Sequence, residues 1–177
     1  MGLDMYLYRQ QYANPKLKDT LKLERAGKLT TITPERPTYL LEEIACWHKA
    51  NHIHRWFVEN VQGGRDDCRD YYVDDSHLKD LLETVNKVLR RSKLVPGKVS
   101  VGDRTLQPGK RQDIWEDGLV IDNPETAQTL LPRMRGCFFG LYGYDQFYVE
   151  DLRQTKTFLE EALNEPAGVE LVYSSSW

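Results

Sequence analysis

Cysteine is scarce in this chain. The three present, Cys46, Cys68 and Cys137, are odd in number, far apart and without a Cys-x-x-Cys pair, which excludes a disulfide framework, a thiolate zinc site and dithiol redox chemistry. A reducing cytosol is the compartment that fits. No apolar run approaches the length needed to span a bilayer, and the opening Met1-Gly2-Leu3-Asp4-Met5-Tyr6-Leu7-Tyr8 lacks the basic and long apolar segments of a secretory signal. Gly2 does not begin a myristoylation motif, because Tyr6 stands where Ser or Thr is needed. Neither sign of charge dominates: 24 Lys and Arg against 27 Asp and Glu leave a net charge of −3, so there is no long-range pull toward nucleic acid.

What the chain does have is the composition of a folded protein, 40% hydrophobic and 29% charged over 177 residues. That length suits one globular domain spanning 1–177, able to bury about 70% of its unfolded surface. Alternation at Leu3, Met5 and Leu7 predicts a strand near the start. Residues 14–37, rich in Lys, Thr and Pro, read as an exposed excursion with at most a short helix around Lys16–Arg25. A long helix is expected from about Tyr39 to Val61, ended by Gly63 and Gly64. Tyr71-Tyr72-Val73 suggests a short strand, and Leu78, Leu81, Leu82, Val85, Val88 and Leu89 mark a second helix capped near Asp74–Ser76. Residues 92–122 read as irregular, with candidate strands at Val99–Val101 and Gly118–Ile121.

A short helix entered through Asn123-Pro124 is expected next, then a buried strand at Gly136–Gly140, a helix from about Gln146 to Asn164, and a last strand at Val169–Tyr173. The sum is an α+β domain in two layers, about three main helices on a short-stranded, mostly antiparallel sheet.

The expected long helix carries the candidate chemistry. On a 100° wheel Leu40, Ile44, Trp47, Asn51, His54, Val58 and Val61 share one face, so Asn51 and His54 point inward beside Trp47, with Glu43 at the edge. A buried imidazole near a carboxylate is either a hydrogen-bonded node or a tuned general base. His48, His52, Arg55, Glu59 and Trp56 fall on the outer side. The pair His48 and His52 shares a face, but Lys49 occupies the place of the glutamate in His-Glu-x-x-His, so no metal site is expected.

The Asp66–Asp70 loop does not match a calcium-loop spacing and reads as a solvated turn, and its acidic residues disfavour the Cys68 thiolate. Glycines 136, 140 and 143 match no phosphate loop, and their aromatic neighbours form either a docked cluster or a wall for a planar ligand or partner. Tyr144 and Asp145 are further candidates there.

Three blocks carry a resemblance over most of the chain. They are Met1-Gly2-Leu3-Asp4-Met5-Tyr6-Leu7; Trp47-x-Lys49-Ala50-Asn51-x-Ile53-His54-x-Trp56-Phe57-Val58; and Phe138-Phe139-Gly140 leading to Tyr144-Asp145-x-Phe147-Tyr148-Val149-Glu150-Asp151-Leu152. Together they resemble a family of small proteins, without assigned activity, carried by phage and prophage genomes. The resemblance implies a role in the host bacterial cytosol and carries over no catalytic residue and no cofactor. It implies action by binding a host protein or nucleoprotein complex, inhibition of a defence system being one form, with Trp56 as a candidate anchor and Trp47 and Tyr144 as weaker ones. Two alternatives stay open. One is a small-molecule or nucleotide-binding enzyme using His54, Asn51, Glu43 and Asp145; the other is nucleic-acid binding through the locally basic 90–111 segment, which lacks stacking aromatics.

Overall fold

The computed structural model describes residues 2–13, 20–32, 38–107, 110–136, 138–164 and 169–177. The alternating start forms β1 (Asp4–Ala13), followed by a hairpin of β2 (Leu21–Arg25) and β3 (Lys28–Ile32). Leu21–Arg25 is thus strand and Thr20 irregular where a helix is expected, and residues 16–19 of that expected helix lie outside the described residues.

The largest correction concerns 39–61. Its first half is a strand, β4 (Thr38–His48), and only its second half is helical, α1 (Asn51–Asn60). The chain turns between them at Lys49, which has φ of 59° and donates its backbone N–H to the Leu3 carbonyl at 2.7 Å. A left-handed residue whose N–H is tied to a distant part of the chain cannot continue a helix backwards. The helical periodicity was produced by a bulge. Leu7 faces Ala45 and Tyr8 faces Glu43, leaving Ile44 as the extra residue that shifts the two-residue repeat. The helix ends as expected: Gly63, at φ 61°, lets the Gly64 N–H reach back to the Val58 carbonyl at 2.8 Å.

The remaining elements are β5 (Tyr71–Val73), α2 (Asp75–Arg91), β6 (Leu94–Gln107), β7 (Lys110–Ile121), α3 (Glu125–Leu130), α4 (Gln146–Ala162) and β8 (Glu170–Ser176). Asp74 caps α2 in a reciprocal box with His77. Asn123 accepts from the Glu125 N–H at the start of α3. The Asp145 carboxylate accepts from the N–H groups of Phe147 and Tyr148 at the start of α4. The irregular stretch expected at 92–122 is instead a two-stranded ribbon of β6 and β7, bulged at Val101. Conversely, the strand expected at Gly136–Gly140 is loop at each described position; Cys137 lies outside them.

Four strands make one antiparallel sheet in the order β4-β1-β8-β5. Met5, Leu7, Ala45, Trp47, Val73, Leu171 and Tyr173 lie on one of its faces and are buried. They meet Ile53 and Phe57 of α1, Leu78, Leu81, Val85 and Val88 of α2, and Val149, Leu152 and Leu159 of α4 in one continuous core. Each Val, Leu, Ile, Phe or Met side chain among them contributes about 1.5–3 kcal/mol on burial. The architecture is α+β, with helices on one face of an antiparallel sheet. No helix among the described residues is long and apolar enough to cross a membrane.

Candidate functional site

Seven of the ten residues of α1 are buried: Asn51, His52, Ile53, His54, Trp56, Phe57 and Val58. A helix enclosed on nearly all sides has no polar face to give to water. Two expectations are corrected by this. His52 is fully buried rather than solvated, and Trp56 is 8% exposed, its indole packed edge-on against Phe57. Both errors come from a wheel phased on residues that belong to β4. His48 is exposed as expected and bonds Asp4 at 2.8 Å.

Asn51 and His54 point inward, as the sequence indicated, and each is sealed. The Asn51 amide donates to the carbonyls of Phe139 at 2.9 Å and Leu141 at 3.0 Å, and its oxygen accepts from the Met134 N–H at 3.3 Å. One side chain therefore holds both limbs of the 134–141 loop. His54 Nε2 lies 3.1 Å from Asp66 Oδ1 and Nδ1 lies 2.8 Å from the Tyr173 hydroxyl. Since a carboxylate only accepts, Nε2 carries the proton and Nδ1 accepts from Tyr173. Burial lowers the His54 pKa, against the opposing pull of Asp66, which keeps the ring neutral in this arrangement. Trp177 Nε1 donates to the same Asp66 oxygen at 2.9 Å, and Tyr173 stacks on Phe57 at 3.9 Å. This network ties β8 to α1 and to the loop after it.

The partner of His54 is thus Asp66, which the sequence assigned to a solvated turn. Glu43, the expected carboxylate, is exposed on β4 just before the bulge. Trp47 is buried and donates from Nε1 to the Thr155 hydroxyl at 2.9 Å, fastening β4 to α4. Asp145 serves as the cap of α4, and the Tyr144 hydroxyl accepts from the Arg133 N–H at 3.1 Å. Among the described residues, no group of three or more His, Cys, Asp or Glu side chains could hold a metal.

An open space is found elsewhere. A cleft of about 540 Å³ lies between the β4–α1 turn, the 133–142 loop, the first turns of α4 and the bulge of the ribbon, where Val101 and Gly102 form one wall. None of Asn51, His54, Glu43, Asp145, Tyr144, Trp47 or Trp56 lines it. Its rim carries Phe138, Tyr142 and Phe147, respectively 58%, 45% and 41% exposed. The loop reaches the turn so closely that a Cβ on Gly140 would meet Lys49 Cβ at 2.7 Å, and Gly140 also has φ of 94°. Only glycine meets both demands.

Two charged side chains in the cleft wall were not singled out from the sequence, Arg133 and Asp151. The Arg133 side chain is 6% exposed, with Nε and Nη2 donating to the Gly143 carbonyl at 3.2 and 3.0 Å and Nη1 donating to His52 Nδ1 at 3.1 Å. Arginine has no acceptor, so His52 is the Nε2–H tautomer, and that N–H is buried without a partner. Burial and the neighbouring guanidinium both drive the His52 pKa well down. Asp151 Oδ2 stands 3.7 Å from Arg133 Nη1, an ion pair too long to be a hydrogen bond. Desolvation lifts the Asp151 carboxyl to about 6 although Arg133 pulls the other way. No family model, curated protein or solved structure matches the chain.

Proposed function

We propose that this is a non-enzymatic accessory protein of the phage type, which acts by docking onto a host protein. The ribbon of β6 and β7 is the element that does so. The single observation behind this reading is Trp115, which is 57% exposed on the ribbon face opposite the one that buries Val99. Ile114, next to it on β7 and so on the other face, is 40% exposed, and Val101, at the bulge, 37%. Large apolar groups exposed on a two-stranded element supply rigid anchor area, and Trp is among the residues most enriched at binding hot spots.

The charge pattern supports a protein partner over nucleic acid. Within the ribbon, 94–121, Lys98, Arg104, Lys110 and Arg111 are matched in number by Asp103, Asp113, Glu116 and Asp117, whereas Arg90, Arg91 and Lys93 of the basic 90–111 segment precede it. Lys98 pairs with Asp117 across the ribbon at 2.7 Å. A backbone of phosphates needs uncompensated cations. The buried polar groups Asn51, His54 and Asp145 each have structural partners, which favours binding over catalysis.

The test is affinity capture from host bacterial lysate with the whole chain, run beside Trp115→Ala and Ile114→Ser. A stoichiometric protein retained by the wild type, lost with both variants and crosslinked to the ribbon is the expected result. Absence of any such partner across hosts, or retention insensitive to both substitutions, sinks the reading.

A further inference from the structure

The Arg133–Asp151 pair in the cleft wall is incomplete on both sides. Of the five guanidinium N–H bonds, two converge on the Gly143 carbonyl and one goes to His52, leaving one on each Nη without a protein acceptor among the described residues. The Asp151 carboxylate, 26% exposed, accepts no hydrogen bond from a described residue. Its backbone oxygen, not its carboxylate, takes the Thr155 hydroxyl at 2.7 Å. Structural ion pairs with this much burial usually close their remaining bonds, because an unmet polar group in low dielectric is costly. These two instead face a space of about 540 Å³, within the size range of small-ligand sites. The carboxyl raised to about 6 is what burial without donors produces.

We infer that the cleft binds a guanine base. The match is one of counts and sequence of groups around the ring. The two free N–H bonds of Arg133 suit the adjacent acceptors O6 and N7, the pairing by which arginine commonly reads guanine. The two bare oxygens of Asp151 suit the N1–H and N2–H donors that continue round the same ring from O6. Cytosine would give the carboxylate only its exocyclic amine, and adenine likewise offers one donor group and no O6, so each leaves part of the pair unmet. Phe138, Tyr142 and Phe147 at the rim provide faces for stacking a flat ring. Lys49, which also lines the cleft and makes no ion pair among the described residues, is available to a phosphate. The base has two sources, a free mononucleotide or a guanosine in a single strand, and the recognition chemistry is common to both.

The inference is independent of the ribbon's docking role. It is tested by calorimetry on the whole chain with GMP, IMP, AMP and CMP, and with single-stranded oligonucleotides containing one guanine or none. GMP is expected to bind at least ten-fold tighter than AMP or CMP, with IMP, which lacks the 2-amino donor, in between. Asp151→Asn, which swaps an acceptor for a donor, is expected to weaken GMP at least ten-fold and to leave residual AMP binding within about three-fold. Preference for the guanine-containing strand over GMP assigns the base to a strand, and the reverse assigns it to a free nucleotide. Equal affinity for all four nucleotides, or binding of none of the probes, overturns the inference. Because Arg133 also holds Gly143 and His52, Asp151→Asn and the IMP comparison, rather than an Arg133 variant, decide the case.

Discussion

Two polar clusters on either side of α1 each set a buried imidazole near an aspartate and behave oppositely. On one side His54, Asp66, Tyr173 and Trp177 close a chain of hydrogen bonds with no gap longer than 3.1 Å. On the other, His52, Arg133 and Asp151 leave an orphaned imidazole N–H, two spare guanidinium N–H bonds and a carboxylate held only at 3.7 Å. The second adds the buried Arg133, but the imidazole and aspartate common to both do not by themselves separate the two. Completion does. A closed network fixes strand β8 against the helix; an open one at a cleft keeps capacity for something that is not part of the chain.

The comparison is broken most severely at the closed side. Tyr173→Ala removes a ring that is fully buried and stacked on Phe57, and the expected loss is about 3–5 kcal/mol in urea unfolding. A loss below about 1 kcal/mol would show that β8 is not held as described. Asp66→Ala leaves the His54 Nε2–H without an acceptor, for an expected loss of about 1–3 kcal/mol by the same measurement.

Acidification acts on both clusters. The pKa values of His52 and His54 are lowered from 6.5 by burial, so below that value the unfolded chain binds more protons and stability falls as pH falls. Asp151 works the other way. Its carboxyl rises from 3.8 to about 6, so the folded state holds the extra proton between those values and loses that contribution as pH rises through 6. Guanidinium midpoints should therefore drop from about pH 7 to about pH 5, and drop more steeply in Asp151→Asn, where the opposing group is gone. At pH 7 Asp151→Asn is expected to be no less stable than wild type. A loss comparable to that of Asp66→Ala would place Asp151 among the closed, structural groups. Trp115→Ala marks the lower end of the scale: a change within about 0.5 kcal/mol is expected for an exposed position outside the core, and a thermal melt well below wild type would mean that the ribbon's outer face is itself packed.

The elements with a clean period were legible in the sequence. β1, α2, α4 and β8 follow from alternation or from 3.6-residue spacing joined to a cap, as Asp145 before Gln146 shows. The 38–61 region was not, because Ile44 is an inserted residue in β4 and restores apolar positions at intervals a helix would use. Nothing local distinguishes a bulged strand followed by a helix from one helix, except that Lys49 must be left-handed, and that is imposed by its bond to Leu3. The inward direction of Asn51 and His54 held because α1 is enclosed on nearly all sides, which is also why the outward reading of His52 and Trp56 did not. The partners of Asn51 and His54 were not readable. Asp66, Tyr173 and the 134–141 loop are brought to α1 by the fold, and the cleft pair Arg133 and Asp151 is 18 residues apart in sequence with a loop and a cap between them. An isolated arginine before a loop gives no sign that it will be buried.

The position of β8 between β1 and β5 has a consequence for how the fold is reached. Residues 4–10 and 170–176 are neighbours in the sheet, and among the described residues β5 has a ladder with β8 alone. Helices α2 and α4 can form from local contacts, whereas closing the sheet requires an encounter across nearly the whole sequence, and loop-closure entropy makes such pairings slow. Until residues 170–176 arrive, β1 offers an open edge with Met5 and Leu7 facing no completed core. The time in which this protein is most exposed to misassembly is therefore the interval before its central strand is in place.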